Sequence, residues 1–212
     1  MPWFQTFEAS IILINLGFMT RPVSIEMSTT LHLNIDEYNR MVMLGAFDHL
    51  NRRIELYRGE IREMNPAGPR HNDLIMYLNS WSVRSTDPKT ILVTVQTSLE
   101  LAGQQSCPEP DLMWLRAARY RDRHPTSSDV KLAIEVSDSS LRTDLTEKAT
   151  LYAEASVIEF WSVDAVGRCI QVFREPANGK YRHVFVAGLG EQLSPLEPCH
   201  PPLDINALFA EQ

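Results

Sequence analysis

Cysteine is scarce in this chain. Cys107, Cys169 and Cys199 are its three among 212 residues. They are odd in number, scattered and without metal-ligand spacing, which excludes a disulfide scaffold or a zinc module. They read as reduced thiols of a cytoplasmic protein. Long apolar runs are missing too. The stretch Ile11 to Met19 is too short to span a bilayer. Glu8 stands before it, where a signal peptide would carry basic residues, so no membrane partner is expected. Positive charge is not in excess either: the net charge is −7. That argues against indiscriminate affinity for nucleic acid, though not against a local basic surface. The chain holds no Ser-His-Asp elbow, Walker loop or dinucleotide glycine fingerprint, and neither a repeat nor a low-complexity tract.

What is present is ordinary for one soluble domain: 44% hydrophobic and 22% charged residues in a length that suits a single core. Residues 1–26 read as an N-terminal extension, with a short docked helix as the alternative, because no capping or turn pattern ties them to the next segment. The domain is expected over 27–212.

Local patterns place the elements. Asn34 with Glu37 makes a capping box, and Ile35, Tyr38, Met41 and Val42 share one helical face, so a helix is expected over about 35–46. RIELYRGEIREM (53–64) reads as a β-hairpin turning at Tyr57-Arg58-Gly59. A break at 65–69 precedes a helix over about 70–84, with Leu74, Tyr77, Leu78 and Trp81 inward. Strands are expected at 91–95, 98–101, 111–115 and 131–137, with a polar loop or irregular helix over 116–128. A helix capped by Ser140 or Thr143 runs through about Ala155, with Leu141, Leu145 and Tyr152 inward. A late meander (159–163, 169–174, 181–186), a Pro-rich segment and a short helix from Asp204 complete the chain. The order predicts a mixed α/β fold around one sheet.

The chemistry centres on two carboxylates. Asp111 follows Pro110 at a strand start, a place where aspartate also serves turns. Glu135 interrupts the apolar run KLAIEVS. Alternation puts Ala133, Glu135 and Ser137 on one face and Leu132, Ile134 and Val136 on the other. That small polar face suits a site or an ordinary solvent-facing strand. A carboxylate inside a buried strand needs a partner, and a hard divalent cation is one.

Lys148 lies four residues from Asp144 and four from Tyr152 on one helical stripe. It serves either a surface ion pair or the stabilisation of charge on a phosphate. Glu55 on the hairpin is a candidate third carboxylate or a half-exposed strand residue. His71 opens the second helix, as a structural residue or a phosphate or carboxylate contact. Arg116, Arg119, Arg121, Arg123 and His124 come directly after the Asp111 strand, as a phosphate-facing cluster or a solvated loop.

Taken in order, the blocks RIELYRGEIREMNPAGPRHN, PEPDL and IEVSDSSLRTDLTEKATLYAEASVIEFWSVD resemble the Uma-type restriction endonuclease domain family, over roughly residues 30 to 190. The resemblance implies a PD-(D/E)XK nuclease core: a restriction-endonuclease-like central mixed sheet flanked by helices, with an N-terminal hairpin. It implies metal-dependent hydrolysis of DNA phosphodiesters, with a catalytically silent module that binds nucleic acid or protein as the alternative. Asp111 matches the Asp of the PD motif and Glu135 the second acidic residue. Both would hold Mg²⁺ or Mn²⁺ with the backbone carbonyl of Val136. Ser137 stands where the usual lysine would be, and Lys148 matches a lysine moved to the following helix. Glu55 and His71 match the family's early glutamate and its histidine, while Glu60, Asp144 and Tyr152 match supporting positions. DNA is the expected partner. Cleavage of both strands would call for a C2 homodimer.

Overall fold

In the computed structural model, residues 30–64, 68–137 and 141–210 are described, apart from the side chains of 141–145. The expected extension 1–26, the cap at Ser140 or Thr143 and the side chains of Leu141, Asp144 and Leu145 lie outside the described residues.

The chain opens with α1 (Ile35–Met43). Asn34 accepts the Glu37 N–H, and Glu37 accepts the Asn34 N–H in return, so two end donors are satisfied locally. Ile35 and Tyr38 are buried, whereas Val42 is exposed. The hairpin strands β1 (Ile54–Tyr57) and β2 (Glu60–Glu63) pair antiparallel. Their turn needs two left-handed residues, Arg58 (φ 49) and Gly59 (φ 82), which matches the twist of the flanking strands. α2 (Pro69–Ser85) starts on proline at a position where the missing N–H costs nothing.

Next come β3 (Ile91–Val95), β4 (Leu112–Arg116), β5 (Val130–Ser137), α3 (Leu141–Glu154), β6 (Glu159–Asp164), β7 (Cys169–Ala177) and β8 (Lys180–Ala187). The short pair β9 (Gln192–Leu193) and β10 (Leu203–Asp204) and the terminal α4 (Ile205–Leu208) complete the order. Strands β3 to β8 form one six-stranded sheet in sequence order. Its pairs are antiparallel except β5–β6, which are parallel and joined through α3. Among the described residues no helix is long and apolar enough to cross a membrane.

Both faces of the sheet are covered. Leu112, Trp114, Leu132, Ile134, Trp161 and Val172 pack under α2, where Trp81 stacks on Trp161 with ring centroids 6.0 Å apart. Met113, Leu115, Ala133, Phe160 and Phe173 face the opposite way, toward Leu151 and Tyr152 of α3. The alternation expected for β5 therefore holds. The face carrying Glu135 is not a solvent face, because a helix lies over it.

Two expectations change. Ser98–Leu101 is not a strand: Glu100 and Leu101 make only single bridges, to Thr126 and Ser106. The arginine-rich loop leaves β4 from Arg116, the end remote from Asp111. Five strand residues separate them, about 15 Å. Arg116 and Arg123 are both bound to buried Asp129, and the Thr126 N–H and hydroxyl bond to the same carboxylate. Two of the five basic side chains in that loop thus serve the fold.

A second carboxylate is consumed in the same way. Glu159, fully buried, accepts Trp161 Nε1 at 2.8 Å, Arg174 Nε at 2.7 Å and the Leu196 N–H at 2.6 Å. This ties the segment after β9 to the sheet.

Removing one partner of a buried ion pair strands the other charge, so Arg174→Ala is expected to cost about 3–5 kcal/mol. Urea unfolding measures this, and a loss under about 1 kcal/mol would show that Glu159 does not depend on Arg174. Arg123, then the Thr126 N–H and Arg116, hold the Asp129 carboxyl well below the usual carboxylate range, against its burial. A depressed native pKa gives stability that is complete above the unfolded value near ~3.9 and is lost as pH falls through the native value. Unfolding free energy measured below about pH 4 should fall more steeply in the parent protein than in Asp129→Asn. Parallel curves would contradict this.

Candidate active site

The register of the sheet brings the two expected carboxylates together. Leu112 pairs with Ile134 across β4 and β5, so one residue further Asp111 lies beside Glu135. Asp111 is buried. Its Oδ2 accepts the Val136 N–H at 2.8 Å and lies 3.2 Å from His71 Nε2. Val136 thus reaches the site through its N–H. His71 gets there because α2 begins just after the hairpin and its first turn points at the end of β4.

Glu135 is held from above. Lys148 Nζ donates to its Oε1 at 2.8 Å, and Tyr152 Oη donates to the same oxygen at 2.7 Å. Residues four apart share a helical face, and here that face lies over β5. The partner of Lys148 is therefore Glu135 in the sheet. Glu55 is buried, and its Oε2 has no hydrogen-bond partner among the described residues. Its charge acts on Lys148 and Tyr152 together with those of Glu135 and Asp111, so it lies near them. Glu60, by contrast, is exposed on the hairpin and lies 3.8 Å from Arg62.

The electrostatics reflect the charge count. Three carboxylates surround one lysine. Burial pushes the Glu135 carboxyl above its ordinary value; Lys148 pulls it back, and the Asp111 charge pushes it up again. Burial alone would lower the Lys148 ammonium, but Glu135, Glu55 and Asp111 together raise it, so it stays charged. Burial and then Glu135 raise the Tyr152 hydroxyl well above its usual value, so it remains a neutral donor. The hydrogen bond to Asp111 raises His71, against the effect of burial. Its Nδ1 is buried, and the neighbouring Asn72 side chain also raises it.

This set fits a hard cation. It offers oxygen donors, surplus negative charge and an orphaned buried carboxylate oxygen. Among the described residues no group of three or more His, Cys, Asp or Glu side chains is arranged to hold a metal ion. A cation here would rest on the Asp111 and Glu135 oxygens and on water, as Mg²⁺ commonly does.

Asp111, Glu135, Lys148, Glu55 and His71 are thus brought together. Sequence reasoning gave Tyr152 a supporting place but not its bond to Glu135, for which the four-residue step from Lys148 was the signal. It passed over Arg62 entirely. The register pairs Arg62 with Glu55 across the hairpin, a partnership already set by the two-residue turn.

A family model described as "Uma2: Putative restriction endonuclease" matches residues 35–206. Among solved structures the chain is similar to a "putative nuclease belonging to DUF820" from Anabaena variabilis ATCC 29413. The two are 14% identical with a TM-score of 0.62, over 84% of this chain and 97% of that one. At that identity the likeness bears on the fold, and that fold is the restriction-endonuclease-like one. No curated protein matches the sequence.

An orphaned, buried carboxylate oxygen among like charges destabilises a protein, by about 1–3 kcal/mol. Glu55→Gln removes the charge while keeping the shape. The variant is expected to melt at a higher temperature than the parent in EDTA. A lower melting temperature would mean that Glu55 is already satisfied.

Proposed function

The chain belongs to the Uma2 family, and from that premise we propose that it is a metal-dependent nuclease hydrolysing phosphodiester bonds of DNA. One observation carries the reading: Lys148 and Tyr152 converge on Glu135 next to Asp111, with the orphaned Glu55 near them. Asp111 and Glu135, with the backbone carbonyl of Val136, would hold Mg²⁺ or Mn²⁺. The bound ion supplies a more acidic water and a counter-charge for the phosphate.

The protein's own groups do the rest. His71 and the Val136 N–H fix Asp111 in one orientation. Tyr152 fixes Glu135 from the helix side. Lys148, whose charged form the surrounding carboxylates favour, offers its ammonium to charge that develops on the phosphate or to the attacking water. It does so from α3, which accounts for a serine at 137, where the usual lysine would stand. Glu55 accepts a hydrogen bond from a water of the site. His71, at the start of α2 beside Asp111, is read as the contact for a phosphate oxygen beside the one attacked. The restriction-type description of the family supports DNA as the substrate. The surplus of carboxylates supports the cation.

Glu135→Gln keeps the shape of the strand and is expected to bring Mg²⁺-dependent cleavage of plasmid DNA to background with an unchanged circular dichroism spectrum. Lys148→Met should lower kcat by about 10²–10³. Calorimetric titration of Mn²⁺ should lose its signal in Asp111→Asn. Full cleavage by the Glu135 variant would end the proposal. Mn²⁺ binding without cleavage of DNA or RNA by the parent protein would instead favour the silent binding module.

A further inference from the structure

Resting on that reading, we infer that the cleft between the hairpin and α3 takes the nucleic-acid backbone flanking the scissile bond, with Arg62 as its phosphate contact, masked by Glu147 until substrate arrives. The cleft is lined by Tyr57, Arg58, Arg62, Thr146, Glu147 and Thr150. Each of its walls carries a residue next to one of the site. On the hairpin wall, Arg62 is the cross-strand partner of Glu55, and directly opposed residues project to one face. On the helix wall, Glu147 immediately precedes Lys148.

The Arg62 guanidinium lies 3.9 Å from the centre of the Tyr57 ring, and its Nη1 is 2.7 Å from Glu147 Oε2. The ring holds one side of the cation; Glu147 takes one nitrogen of its fork, and the other, Nη2, lies 3.8 Å from Glu60 Oε2. Both side chains are about two-fifths exposed, at 40% and 42%. Ion pairs this open contribute little to stability and exchange readily. A phosphate matches the same fork. Arg58 repeats the pattern further along the helix, bound to Glu154 at 2.8 Å.

Charge explains why such a contact is needed here. At −7 the chain as a whole repels a polyanion. The more obvious basic loop, 116–124, lies at the far end of β4, and two of its guanidiniums are bound to Asp129. The two hairpin arginines are the guanidiniums lining the cleft beside the carboxylates. Glu147 keeps Arg62 from binding the site's own acids when no substrate is present, and it yields to a doubly shared phosphate oxygen pair.

The test is fluorescence anisotropy of a labelled DNA duplex with the full chain in EDTA, between 50 and 200 mM salt. Arg62→Ala should weaken binding about fivefold or more and reduce the slope of log K against log salt by about one. Glu147→Gln should tighten binding severalfold, and this gain should vanish in the Arg62→Ala background. That coupling separates unmasking of one guanidinium from a general change in charge. If Arg62→Ala unfolds, Arg62→Lys takes its place; it keeps the charge but loses the fork, and should bind more weakly than the parent. Unchanged affinity and slope, or an equal gain from Glu147→Gln with and without Arg62, overturns the inference. Where the parent still cleaves DNA under those outcomes, the nuclease reading survives it. A parent that neither binds nor cleaves DNA overturns both.

Discussion

Glu135 sits near the C-terminal end of a central strand, and the need to satisfy that carboxylate organises the molecule. Its strand, β5, pairs parallel with β6. A parallel pair cannot be closed by a tight turn and needs a crossover, here α3. The crossover must lie on one face of the sheet, and it lies on the face to which alternation turns Glu135. The topology therefore sets a helix above the carboxylate. The helix needs only a lysine and a tyrosine four residues apart to reach it, and Lys148 and Tyr152 supply them. A lysine on the strand itself, at 137, is then unnecessary for charge balance.

Five carboxylates show what separates a candidate site from a structural anchor. Asp129 and Glu159 are as deeply buried as any residue in the chain. Asp129 meets two guanidiniums and the Thr126 N–H; Glu159 meets a guanidinium, an indole N–H and a backbone N–H. Each is saturated, and each pins a loop or a late segment of the chain. The group Glu55–Asp111–Glu135 is not saturated: one oxygen is orphaned, and one lysine serves three charges. Burial alone does not mark function. Burial with a deficit of positive charge is what supports reading the second group as a site, because folding gains nothing from leaving that deficit in place.

This contrast also explains which parts were legible in the sequence. The capping box, the hairpin with its two left-handed residues, the strands around Asp111 and Glu135, and the face alternation of β5 are local signals, read over a few residues. So was the lysine–tyrosine step on α3, although its target was not. Ser98–Leu101 had strand composition but no strand to pair with, and composition cannot show that. The arginine-rich loop looked adjacent to Asp111 in sequence. Strand geometry put it at the opposite end of β4, since five extended residues carry the chain well away from where they began. The roles of Asp129 and Glu159 depend on partners from 3 to 37 residues away, and no periodicity encodes those.

The acidity of the chain, which first counted against a nucleic-acid partner, becomes a constraint on how such a partner is met. A site with surplus carboxylates repels phosphate, so affinity must come from a few guanidiniums placed beside it rather than from the surface as a whole. In the proposed reading the hairpin serves this end. Its inner face offers Glu55 to the site and Arg62 to the rim, opposite each other in register. A one-residue slip between β1 and β2 would turn one of them to the wrong face. The two left-handed turn residues, Arg58 and Gly59, prevent that slip. Hairpin register thus sets where negative charge ends and positive charge begins at the mouth of the site.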